Sequence, residues 1–145
     1  MRKQETLELF TALNNLGNLN GVRFAYGVSK NLNLLKLEIE ALSKASASYE
    51  ADRVALAAKY AKKNPMGEPV MRNNQFDIEN LAGFQADLKK LQENKDYKEY
   101  QELLNQESDF KPYKIKLDDV PKEINVTQMF GLSQIVEDIE PPPLP

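Results

Sequence analysis

Arg23, Tyr26, Lys30 and Asn31 form the densest group of side chains able to hold a ligand. Tyr26 and Lys30 stand four apart and so share a face if the segment is helical. An aromatic ring with two cations and an amide could grip a nucleotide-sized anion by stacking and charge. A solvated helix surface with Tyr26 packed at its edge is the plainer reading of the same residues. The preceding run, Asn18-Leu19-Asn20-Gly21, opens into the same helix and could offer main-chain N–H groups to an anion. It matches neither the spacing of a phosphate loop nor that of a dinucleotide fingerprint, so a turn and a helix start account for it.

The chain has 145 residues and contains no His, Cys or Trp. That excludes disulfides, ordinary zinc sites, haem ligation by His, Cys–His nucleophiles and Ser–His–Asp triads. A metal could use only oxygen ligands, and the adjacent Asp118 and Asp119 point different ways in a segment that reads as an acidic turn. No pair among the 22 carboxylates is set apart by spacing. The expectation is a protein that is not an enzyme, with no catalytic residues, no metal and no cofactor.

The elements that position these residues follow from apolar spacing. Leu7, Phe10, Leu13 and Leu16, with Leu9 beside them, make one helical face that ends in the Asn/Gly run. Val28, Leu32, Leu35, Ile39, Leu42, Ser46, Tyr49, Arg53, Leu56 and Tyr60 then alternate spacings of four and three without a slip. This is a coiled-coil-like seam, with Ser46 and Arg53 its polar positions. A helix continuous over 22–62 is about 60 Å long. Such length suits an antiparallel hairpin or an oligomer, unless the helix breaks near Ser46-Ala47-Ser48. On the seam, Arg53 needs either a carboxylate from a later helix or solvent.

Asn64-Pro65-Met66-Gly67 is a turn, and a short β-hairpin is expected at about 69–72 and 75–78. Asp77 or Asn80 can cap a return helix bearing Leu81, Phe84, Leu88 and Leu91. Its phase breaks at Asn94-Lys95-Asp96, where Asp96 and Glu99 suggest a new start leading to Tyr97, Tyr100, Leu103 and Leu104. Residues 22–62 carry seven basic and four acidic side chains, residues 79–109 four and eight. Opposite charge on two helices joined by a short connection fits antiparallel packing. Tyr113, Ile115 and Leu117 alternate with Lys114 and Lys116, which reads as a strand with an apolar and a basic face. Thr127 can cap a last short helix.

The fold expected is mainly α: a long antiparallel helical hairpin, coiled-coil-like, with a short β-hairpin at its tip and a small C-terminal strand plus helix. One helical domain covers 1–136, made of an N-terminal helix and turn (1–21), the long helix (22–62), a turn and β-hairpin (63–78), the return helix (79–108), and the strand with a short helix (112–136). Residues 137–145 form an acidic, Pro-rich tail. A net charge of −3 argues against nucleic acid as the partner. No window approaches the length of a membrane span.

Leu13-Asn14-Asn15-Leu16, Leu19-Asn20-Gly21, Phe24-Ala25-Tyr26, Lys30-Asn31, the run Tyr113 to Asp119 and Thr127-Gln128-Met129-Phe130-Gly131-Leu132 resemble small uncharacterised proteins of tailed bacteriophages of Gram-positive hosts. The acidic Pro-rich tail departs from that pattern. The resemblance transfers no catalytic residue. It implies a phage protein in the cytoplasm of an infected bacterium, serving virion assembly or the contest with host defence.

Together these readings lead to a non-enzymatic phage accessory protein that binds protein through its helical hairpin and pairs with itself along the seam, with an unidentified protein as its other partner. The alternatives are an anti-defence protein that inhibits a host immune factor or sequesters a signalling nucleotide on Arg23, Tyr26, Lys30 and Asn31, and a virion assembly factor.

Overall fold

The computed structural model describes residues 1–137; Asp138–Pro145, nearly all of the acidic Pro-rich tail, lies outside the described residues. The protein is mainly helical with a small two-stranded antiparallel sheet. By its internal packing the chain divides into two compact units. Met1–Ala41 with the chain from Leu104 onward form the first, and Leu42–Leu103 the second.

The long helix α2 spans Val22–Tyr60 and runs without a break through Ser46-Ala47-Ser48. The Ser46 hydroxyl donates to the Ser43 carbonyl of the same helix (3.1 Å). None of the ten seam positions is exposed: Leu35, Ile39 and Leu42 are buried and the other seven half-buried. Each buried Leu or Ile contributes about 1.5–3 kcal/mol by leaving water, so the alternation of four and three is spent on the chain's own core. The exposed apolar side chains of α2 (Val22, Tyr26, Leu34, Leu37 and Val54) all lie off the seam.

In the first unit, helix α1 (Lys3–Asn14) buries Leu9 and Leu13, and Leu16 follows them into the core. The turn to α2 passes through Gly17 and Gly21 at positive φ (73° and 132°), a conformation that glycine adopts without a Cβ penalty. The N-terminal residues are tied down by main-chain bonds from Lys3 N–H to the Gln106 carbonyl (2.9 Å) and from Ser108 N–H to the Met1 carbonyl (2.8 Å). Helix α5 (Val126–Leu132) is capped by Asn125, not by the expected Thr127, which lies inside the helix. Asn125 accepts from Gln128 N–H (2.8 Å) while the Gln128 side chain accepts from Asn125 N–H (3.0 Å), a reciprocal capping box. Gly131 lets α5 sit tightly on α1, since a Cβ there would stand 2.9 Å from the Ala12 Cβ.

The strand expected over Tyr113–Leu117 is reduced to a single parallel bridge, Ile115 to Val136, followed by a 3-10 turn at Leu117–Asp119. A strand needs a partner for every alternate residue. Here the turn draws Leu117 away, and Tyr113 is held by a side chain instead of a second strand.

In the second unit, strands β1 (Met71–Arg72) and β2 (Gln75–Phe76) form the expected hairpin around Asn73 and Asn74, both at positive φ (52° and 62°). The segment leaving α2 joins it: Lys62 N–H donates to the Asp77 carbonyl (2.7 Å) and Val70 N–H to the Lys62 carbonyl (2.7 Å). The return over 79–108 is two helices, α3 (Leu81–Gln92) and α4 (Lys95–Leu104). Asn80 caps α3 by accepting from Gly83 N–H (3.0 Å). Asn94, not Asp96, supplies the side chain at the start of α4, accepting from Asp96 N–H (2.9 Å). Asp87 meets Tyr60, and ten residues later Tyr97 meets Tyr49, so within this unit the return runs antiparallel to α2.

Candidate functional site

The site is built where the segment 113–119 crosses the start of α2 in the first unit. Gly27 makes the crossing close, because a Cβ there would stand 2.5 Å from Ile115 Cγ1 and 2.8 Å from Cδ1. Ile115 is buried, and its main chain is fixed on one side: Ile115 N–H donates to the Ile135 carbonyl (2.7 Å) and its carbonyl accepts from Glu137 N–H (2.8 Å). Two residues earlier, Asn31 takes over. Its side chain is 0% exposed, donates to the Tyr113 carbonyl (2.9 Å) and to the Gly27 carbonyl (2.8 Å), and accepts from Tyr113 N–H (2.9 Å). The amide thus satisfies both main-chain groups of Tyr113, as a neighbouring strand would.

This corrects the sequence reading of Asn31 as a ligand-binding residue. Its amide is enclosed and committed to main chain. The other three members of the cluster do come together. Tyr26 and Tyr113 pack edge to face with ring centroids 5.7 Å apart, and the Lys30 ammonium lies 4.8 Å from the Tyr113 centroid and 5.8 Å from that of Tyr26. Lys30 therefore already has aromatic partners. Arg23 lies at the rim with NH1 4.0 Å from Asp119 Oδ1, and its side chain is 82% exposed. At that exposure the pair contributes little stability and leaves the guanidinium free to bind elsewhere.

Between these residues lies a cleft of about 580 Å³ with Val22, Arg23, Tyr26 and the segment 113–116 in its walls, closed by Asp119 and Glu137. Its volume falls in the range of ligand-sized clefts. Arg23, Lys114 and Lys116 share this lining with two carboxylates, the Lys114 ammonium donating to the Gln134 carbonyl (2.9 Å), and Lys30 lies against the two rings. The apolar contribution is open to solvent: Val22 is 88% and Tyr26 57% exposed.

The sequence missed the half of the cleft supplied by Tyr113, Lys114, Lys116 and Asp119. Gly27 was the available signal, since a glycine inside a helix marks close approach by another backbone or side chain. Arg53, on the seam, meets no carboxylate of α3; it pairs with Glu50 of its own helix (2.9 Å) and stays partly exposed. Among the described residues no cluster of three or more acidic side chains could hold a metal ion.

In the second unit, away from these residues in sequence, Tyr60 holds its proton more tightly than an ordinary phenol. The Tyr60 hydroxyl donates to Asp87 Oδ2 (2.5 Å); this bond, then desolvation, then the carboxylate's charge raise the phenol above its usual range. No helix among the described residues is long and apolar enough to cross a membrane.

The fold and site together define a mainly helical protein with an aromatic, mixed-charge cleft at the start of its longest helix. No protein-family model, curated protein or solved structure matches the chain.

Proposed function

We propose that this chain is a non-enzymatic binding protein that takes a segment of another protein into the cleft beside the start of α2. The observation that carries this reading is the cleft's lining: exposed Val22 and Tyr26 next to both cations and carboxylates, on a floor locked by Asn31 and Gly27. A lining that mixes exposed apolar side chains, ring faces and charges of both signs suits a protein segment, whose alternate side chains differ in kind. The commitment of Asn31 to main chain and of Lys30 to two rings weighs against the nucleotide-sequestering alternative. The seam gives self-association less support than its spacing suggests, because its positions are covered in a single chain. The helical hairpin is the scaffold, and the cleft is the binding surface.

The resemblance to proteins of tailed phages supplies the setting we propose: an accessory protein in the cytoplasm of an infected bacterium, its partner a host defence factor or a virion assembly protein. Chemical cross-linking in infected cells, followed by mass spectrometry, tests this. Tyr26→Ala and Arg23→Glu should each remove the partner that wild-type chain captures, while Met66→Ala, an exposed position of the second unit, should keep it. Equal capture by all variants would sink the cleft as the binding surface. Phage yield in a host without defence systems separates the two settings: a deletion that still fails there serves assembly.

A further inference from the structure

We infer that the cleft binds an acidic, extended peptide as an added β-strand along the edge formed by Lys114 and Lys116, an inference that rests on the cleft being the binding surface. In an extended segment alternate residues direct their main-chain groups to opposite edges. Ile115 spends its groups on Ile135 and Glu137, and Tyr113 spends its own on Asn31. Lys114 N–H, Lys114 carbonyl and Lys116 N–H belong to the other edge, and among the described residues no hydrogen bond reaches them. Lys116 is itself extended (φ −67°, ψ 140°), and its carbonyl closes the following turn by accepting from Asp119 N–H (2.9 Å). A short edge with no main-chain partner among the described residues is thus available to an added strand.

Charge selects the occupant. A second copy pairing through the same edge would set Lys114 and Lys116 against their own like, which edge lysines are suited to prevent. Acidic side chains opposite them gain instead from Lys116, from the donors that the Lys114 ammonium keeps beyond its bond to the Gln134 carbonyl (2.9 Å), and from Arg23, 4.0 Å from Asp119 and free to turn to an incoming carboxylate. Alternate apolar residues of the peptide would cover Val22 and Tyr26. The chain's own acidic end, Asp138-Ile139-Glu140, has similar chemistry and is the competing occupant.

The test is fluorescence anisotropy of the full chain with the labelled peptide Glu-Val-Glu-Ile-Asp-Val-Glu. Binding should weaken with added salt, and Lys114→Glu with Lys116→Glu should weaken it about tenfold or more. Main-chain N-methylation of one alternate set of peptide residues should abolish binding, and methylation of the other set should leave it. Equal effects of the two sets, or no binding, overturn the added strand. Binding only after residues 138–145 are removed also overturns it, giving the edge to the chain's own end. If Tyr26→Ala loses its partner in cells while the peptide fails to bind, the cleft stands and the strand falls; if Tyr26→Ala keeps its partner, both fall.

Discussion

Replacing Asn31 by Ala tests the assembly of the whole site, because one enclosed amide holds the crossing segment to α2. The variant removes the two bonds to Tyr113 and the extra bond to the Gly27 carbonyl. Gly27 loses little, since its carbonyl can still accept the helical N–H four residues on. Tyr113 loses a partner for both its main-chain groups. At about 1 kcal/mol for each lost bond, and more where water cannot replace it, the cost is about 2–4 kcal/mol. With a urea dependence of about 2 kcal/mol per molar, the middle of the usual range, that lowers the unfolding midpoint by about 1–2 M. The chain has two compact units, so the decisive readout is a local one. Amide exchange at Tyr113 should accelerate in Asn31→Ala, while Asn33→Ala, at an exposed site of the same helix, should leave midpoint and exchange nearly unchanged. Asn31→Asp should cost more than Ala, because it sets an oxygen against two carbonyls. A midpoint within about 0.3 M of wild type, with unchanged exchange at Tyr113, would refute the clamp.

Gly27→Ala should destabilise the first unit by about 1–3 kcal/mol through its clash with buried Ile115, and Ile115→Ala should compensate part of that loss in the double variant, measured by urea unfolding. Leu35→Ala should cost about 2–5 kcal/mol, whereas Leu37→Ala, 79% exposed and off the seam, should stay within about 0.5 kcal/mol; equal costs in thermal melts would mean the seam is not the core. For Tyr60, the raised affinity means that the folded chain holds the phenolic proton more tightly than the unfolded one. The stability from this bond is complete below about pH 10 and is lost as pH rises through the folded value. Near-ultraviolet absorbance should show a late tyrosine titration that Tyr60→Phe deletes and Asp87→Asn shifts to lower pH; a wild-type curve already free of that late phase would remove the argument.

The fold was legible wherever a periodic pattern had local causes. The ten seam positions, the hairpin turn at Asn73-Asn74 and the Asn80 cap need only side-chain spacing and turn chemistry, which the sequence states directly. The strand over Tyr113–Leu117 was read from alternation alone, and alternation does not say whether a partner exists. The partner of Tyr113 is a side chain 82 residues away in sequence. Asn31 misleads for the same reason: an asparagine beside Tyr and Lys suggests a ligand until the main chain it serves is placed. Asn94 and Asn125 displaced Asp96 and Thr127 as caps because each lies one position outside its helix, a boundary that spacing defines poorly.

Burial of the seam alters where a partner should be sought. A two-stranded coiled coil needs its a and d positions free until the second chain arrives. Here those positions are buried or half-buried in a single chain, and the large apolar side chains left exposed on α2 in the first unit are Val22, Tyr26, Leu34 and Leu37. Val22 and Tyr26 already belong to the cleft. A rigid floor matters there, because any ordering left to the binding step subtracts from affinity. Asn31 and Gly27 do that ordering on folding: one replaces a strand, and the other removes the atom that would hold the segment away. With the cleft as the proposed binding surface, the two residues enclosed beneath it, Asn31 and Gly27, are the ones on which that binding depends.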